Sequence, residues 1–211
     1  MNHPLERRAA VLDEALIKRL IAVARSGKHG LRNEAMIYLS FGLGLRAKEM
    51  AALKVRDVLL PDGNLRDELL LGRKATKGGK VRLVYLTQPA VRKALTRYLA
   101  NRKEVEGILF NSDSALLKSQ KGSAFSPNTL QQLFARLYEA AGINGASSHS
   151  GRRTFATGLI ERGVDIKAVS TLMGHASVAM TARYVENNPV RLKRICGEVA
   201  IGLSSTQHPS A

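Results

Sequence analysis

The chain has 211 residues, 45% hydrophobic and 24% charged, a balance that excludes a disordered or low-complexity polymer and suits one folded domain with a sizeable core. Lys and Arg number 33 against 17 Asp and Glu, so the formal net charge is +16, which points to a polyanionic partner, most often nucleic acid. The single cysteine, Cys196, excludes an internal disulfide, and with no signal peptide and no apolar run of about 18 residues the chain is expected in the cytoplasm and not in a membrane.

In chain order, residues 12–25 (LDEALIKRLIAVAR) space their apolar side chains at three and four and open on a capping residue, Asp13, which predicts an amphipathic helix. Residues 33–44 (NEAMIYLSFGLG) predict a more buried helix that stops at its glycines, and 46–54 (RAKEMAALK) a short one starting at Arg46. Between 57 and 71, the turn signal Pro61-Asp62-Gly63-Asn64 lies inside strand-like runs. Gly78-Gly79 predicts a second tight turn before a strand over 81–86.

Helices then return. Residues 88–103 follow Thr87, read as a cap, and 126–142 have a serine cap, an early proline and a terminal glycine. Residues 149–163 carry Phe155, Leu159 and Ile160 on one face, and 165–175 begin on the cap Asp165. Residues 189–203 predict a last amphipathic helix, placing Cys196 in packing rather than chemistry. The expected fold is mainly α with a small antiparallel β-sheet, one domain over 1–211, ordered from about 12 to 202, with a loose tail at 203–211. The five histidines are scattered, so no metal site is expected.

Cleaving a phosphodiester requires neutralising two non-bridging oxygens, supplying a nucleophile and protonating the leaving alcohol. Arginine suits the first task, because its planar fork pairs with two phosphate oxygens and keeps its charge. Tyrosine can be the nucleophile with help to lose its proton, and lysine or histidine can be the acid. The chain holds candidates for each: Arg46 in GLRAKEMAAL, Lys77 in TKGGK, His149 and Arg152 in HSGRRTFAT, His175 in LMGHAS and Tyr184 in TARYVE. Tyr38 and Tyr138, in apolar helices, read as core.

This set, in this order, resembles the tyrosine recombinase (phage integrase) family over nearly the whole chain. The resemblance implies that Arg46 and Arg152 clamp the scissile phosphate, with His149 bonded to it and assisting proton removal from the tyrosine. Lys77 would protonate the departing 5′ oxygen, His175 would orient the phosphate, and Tyr184 would attack to leave a 3′-phosphotyrosine. Glu49, three residues after Arg46, matches the acidic residue that supports the pocket. The bond energy stays in the phosphotyrosine, so neither ATP nor metal is implied, and no cofactor.

Three departures from the family pattern stand out. Gly151 and Arg153 occupy places more often held by leucine and histidine, and Met173 replaces a leucine. Arg46 also comes early, which resembles short members that lack an N-terminal core-binding domain. The implied activity is site-specific DNA recombination, for integration, excision or inversion of a DNA element. The implied partners are double-stranded DNA and other copies of the chain, as a tetramer on paired sites. Alternatives are an integrase-like accessory factor that activates a host Xer-type recombinase and, third, a plain DNA-binding or topoisomerase-like nicking and closing protein.

Overall fold

The computed structural model describes residues 9–72, 81–182, 184, 196 and 197. Helix α1 (Glu14–Arg25) opens where Asp13 accepts the Leu16 N–H at 2.8 Å, and it buries Leu20, Ile21 and Ala24. Helix α2 (Gly30–Leu43) starts three residues earlier than its apolar pattern predicts, because Arg32, Asn33 and Glu34 are buried along with Ala35, Met36, Ile37 and Leu39. It is the central helix, flanked by α1, α5 and α7. It ends on Gly44 in the left-handed region, φ 61°.

Arg46 caps α3 (Ala47–Ala52) rather than beginning it. Next comes a departure from the expected strands: residues Val55–Val58 form a helical turn, α4. Asp57 is its cause, since its carboxylate accepts the Lys54 backbone N–H at 2.8 Å and closes the turn from below. The predicted turn at Pro61–Asn64 survives, but it closes a single bridge, Leu59 to Leu65. Among the described residues the sheet is one antiparallel pair, β1 (Glu68–Leu71) and β2 (Arg82–Tyr85), with Leu70 opposite Leu83. Lys77 and the Gly78-Gly79 turn lie outside the described residues.

Helix α5 (Pro89–Glu106) has Gln88 as its N-cap, not Thr87. Pro89 takes the first helical position and forces extended backbone on the residue before it. Ser126 caps α6 (Pro127–Ala140) as predicted, accepting the Thr129 N–H at 3.1 Å. Helices α7 (Ser150–Glu161) and α8 (Ile166–Met173) follow, and Asp165 caps α8 by accepting two backbone N–H groups at 2.9 Å. A further short helix, α9 (Val178–Ala182), fills a stretch that carried no helical signal.

The main core gathers α1 to α6 and the sheet around α2, and Tyr138 lies within it. A smaller apolar cluster, Ala156, Ile160, Val169 and Met173, joins α7 to α8. The expected helix at 189–203 lies outside the described residues except for Cys196 and Gly197. Those two are helical, and Cys196 is exposed rather than packed. The expected tail also lies outside them.

Candidate active site

The site forms where α2, α7 and α8 end or begin near one another. Gly44 is required there twice: its φ is left-handed, and a Cβ would stand 2.6 Å from the Phe155 ring of α7. Its carbonyl faces the pocket and accepts Nη1 of Arg152 at 2.7 Å. The other arm of Arg152, Nη2, donates to the Met173 carbonyl at the end of α8. Arg152 is 3% exposed, so one turn of α7 projects a guanidinium almost wholly inside the protein.

Arg46 is tied to Glu49 in two ways. Glu49 Oε2 accepts the Arg46 backbone N–H at 2.8 Å, which caps α3, and Oε1 accepts Arg46 Nη1 at 2.7 Å. Glu49 is fully buried. Burial alone would raise its pKa, but Arg82 and Arg46 reverse that and hold the carboxyl below its ordinary value. Arg82, on β2, completes the group: its Nη2 donates to Glu49 Oε2 at 2.8 Å. Three guanidinium groups against one carboxylate leave the pocket with two positive charges.

That surplus acts on both histidines. His175 follows Gly174, the left-handed residue that ends α8. Its Nδ1 sits 2.7 Å from Thr181 Oγ1 of α9. Desolvation, then Arg152, Arg46 and Arg82, push its pKa down to about 4. His149 precedes α7 and is exposed as a residue; partial desolvation of its ring, then Arg152 and Arg46, lower its pKa too. The same surroundings push Arg152 well below its ordinary value, burial first and then Arg46 and Arg82. The guanidinium nevertheless stays charged at any physiological pH.

Tyr184 comes last. Its ring stacks on His175, centroids 5.7 Å apart and planes 9° from parallel, and it leans on the α7–α8 apolar cluster. Tyr184 also lies in the neighbourhood of Arg152. A cleft of about 340 Å³ opens beside these groups, lined by Arg46, Arg82, Gly174 and His175 among others. Of the seven residues singled out in the sequence, Arg46, Glu49, His149, Arg152, His175 and Tyr184 therefore meet in one place. Lys77 lies outside the described residues, in the segment joining β1 to β2. Among the described residues no group of three or more His, Cys, Asp or Glu could hold a metal ion.

The sequence profile of the phage integrase family matches residues 10–191. The chain belongs to the phage integrase family. Tyrosine recombinase XerC of Pelobacter propionicus is 33% identical over 168 residues, covering 79% of this chain and 51% of that protein. The crystal structure of XerA recombinase superposes with a TM-score of 0.71 at 29% identity, covering 93% of this chain and 66% of that one. The Tn1549 transposon integrase, solved with transposon right end DNA, shares the fold at a TM-score of 0.72 and 19% identity over 93% of this chain and 69% of its own. The chain spans about half the length of the curated relatives it matches.

Within the phage integrase fold, the departures noted in the sequence acquire physical reasons. A Cβ on Gly151 would stand 2.2 Å from Ser40 Oγ and 2.8 Å from the Phe41 ring, so α7 lies against α2 more closely than any side chain allows. Arg153 reaches back to donate to the Ala9 carbonyl at 2.7 Å. Met173 is fully buried, and its carbonyl is the one that receives Arg152. Sequence reasoning missed Arg82. The available signal was an arginine among the apolar residues of VRLVYL, in a strand whose alternation puts it on the side of Val84.

Proposed function

We propose that this chain is a site-specific DNA recombinase that cuts and rejoins DNA through a 3′-phosphotyrosine, with Tyr184 as nucleophile. The observation that carries this is the placement of Tyr184, stacked on His175, which lines the cleft with Arg46 and lies within the field of Arg152, Arg46 and Arg82. The Tyr184 oxygen attacks phosphorus, a new O–P bond forms, and the bond to the 5′ oxygen breaks. His149 assists departure of the phenolic proton, and Lys77 supplies one to the leaving 5′ oxygen. The attacked phosphate gathers a second negative charge as it becomes five-coordinate, and a pocket carrying two positive charges meets it without reorganising. His175 orients a phosphate oxygen. Rejoining reverses the steps, so neither ATP nor metal enters.

The rest of the molecule supports a polyanionic substrate. A cleft at the far end of α2 is lined by Arg25, Lys28, Arg32, Arg97, Arg102 and Lys118; Glu34 pairs with Arg25 and Arg97, and Glu106 with Arg102 and Lys118, which leaves the cations in excess. A neighbouring cleft shares Arg32, adds Lys121 and Arg136, and has no acidic residue in its lining. Each chain supplies one tyrosine, and exchange between two duplexes breaks four strands, so the working form is a tetramer on paired sites. A host Xer-type recombinase could supply some of those tyrosines.

The test uses a pool of nicked duplexes with randomised sequence around the nick, so that cleavage releases a short strand and traps the adduct. Covalent complexes are recovered after denaturation from the parent chain and from Tyr184→Phe. An adduct formed by the parent and absent from the variant is the expected outcome. No parent adduct, or one that survives in the variant, overturns the reading. If the parent stimulates a Xer-type recombinase equally well with and without the Tyr184 hydroxyl, the chain is instead an accessory factor.

A further inference from the structure

Arg82 enters the chemistry above only through its charge, yet its guanidinium meets more acceptors than that of Arg46 or Arg152. It occupies the first position of β2, on the face that buries Val84, and is 7% exposed. Its guanidinium reaches three separate segments. Nη2 donates to Glu49 Oε2 at 2.8 Å and makes a longer contact, 3.5 Å, with the Gly44 carbonyl. Nη1 donates to the Leu172 carbonyl near the end of α8. Nε is buried with no acceptor.

The path of this side chain is prepared by a glycine. A Cβ on Gly174 would stand 2.5 Å from Arg82 Cδ. Gly174 therefore does more than end α8 with its left-handed φ of 57°: it leaves the space through which Arg82 passes.

We propose that Arg82 is a positioning residue for strand cleavage, fixing Arg46, Arg152 and His175 by holding Glu49, the Gly44 carbonyl and the end of α8 in one arrangement. This rests on the recombinase reading. Arg46 depends on both oxygens of Glu49, and it shares Oε2 with Arg82. Arg152 shares the Gly44 carbonyl with Arg82, and its second acceptor, Met173, adjoins the Leu172 carbonyl that Arg82 holds. His175 lies three residues beyond Leu172. With one Nη on the Leu172 carbonyl and the other shared by Glu49 and the Gly44 carbonyl, Arg82 is assigned to act through these groups.

A purely stabilising role fits poorly. Buried ion pairs add little net stability, and a buried N–H without an acceptor subtracts from it. The planar fork is what reaches three acceptors at once; an ammonium in its place keeps the charge and loses the span.

The test compares the parent with Arg82→Lys and Arg82→Met in the full chain. Four quantities are measured: the single-turnover rate of adduct formation on the nicked duplexes, duplex affinity, thermal midpoint, and the NMR titration of His175. His175 is faced by Arg152 from α7, Arg46 from the start of α3, Arg82 from β2, and Thr181 and Tyr184 from α9 and beyond. For the lysine variant we expect unchanged affinity, an unchanged His175 titration, and adduct formation slower by on the order of 10–100-fold. For the methionine variant the rate falls at least as far, and the His175 midpoint rises because a neighbouring cation is gone. A lysine variant that reacts at the parent rate shows that charge suffices and overturns the inference. Rates that fall only in proportion to the folded fraction also overturn it, by reducing Arg82 to a structural part. A parent that forms no Tyr184-dependent adduct overturns the recombinase reading, and this inference with it.

Discussion

His175 is neutral at physiological pH in the DNA-free protein, because desolvation and three nearby guanidinium groups bring its pKa to about 4. The phosphate it is proposed to orient carries the opposite charge and cancels part of that field. Bound duplex should therefore raise the His175 midpoint, and NMR titration of its ring with and without duplex reads this directly; an unmoved midpoint would place the phosphate elsewhere. The depressed value also sets a stability trend. Between its ordinary 6.5 and about 4, the unfolded chain takes up a proton at this histidine that the folded chain refuses. Stability should therefore fall as pH is lowered through that window, and His175→Gln should flatten the fall in urea titrations at successive pH values. The candidates that the fold brings together could be picked out in the sequence because they stand in compact local patterns: His149 three before Arg152, His175 nine before Tyr184. Arg82 could not be, since one arginine in a short strand looks like solvent-facing charge until its acceptors, from residues 44, 49 and 172, are brought to it.

At the scale of elements, the contact between α2 and α7 decides where Arg152 stands. Gly151 lets the two helices touch, with Ser40 and Phe41 occupying the place of its missing side chain. Gly151→Ala forces α7 outward and should destabilise the fold by about 1–3 kcal/mol, as overpacking does. A shift of the urea midpoint checks this; an unchanged midpoint would mean that α7 can slide without loss. Helix caps were legible for a local reason: Asp13, Ser126 and Asp165 bond the backbone two or three residues ahead, so a few letters suffice. The short helices α4 and α9, of 4 and 5 residues, were not, because neither completes enough turns to show a period. The cause of α4 is a single side chain, Asp57 on the Lys54 N–H.

For the molecule as a whole, the charge of +16 was the plainest signal in the sequence, and on the proposed reading it should make DNA affinity a function of salt. If six or more phosphates are contacted, affinity should drop by about a thousandfold or more between 50 and 200 mM salt. Fluorescence anisotropy of a labelled duplex measures the slope, and a shallow one would sink the polyanion reading. Arg46→Gln should reduce that slope by about 0.9. What composition could not tell is how so much like charge is kept stable around one carboxylate. The acceptors of Arg82 and Arg152 give the reason. The carbonyls of Gly44, Leu172 and Met173 close α2 and α8, where the peptide dipoles of a helix sum to partial negative charge. Two helix ends thus act as a provisional counter-ion. They are negative enough to keep the guanidinium groups in register while no substrate is bound, and too weak, being fractions of a charge, to hold Arg152 against a full phosphate anion when one arrives.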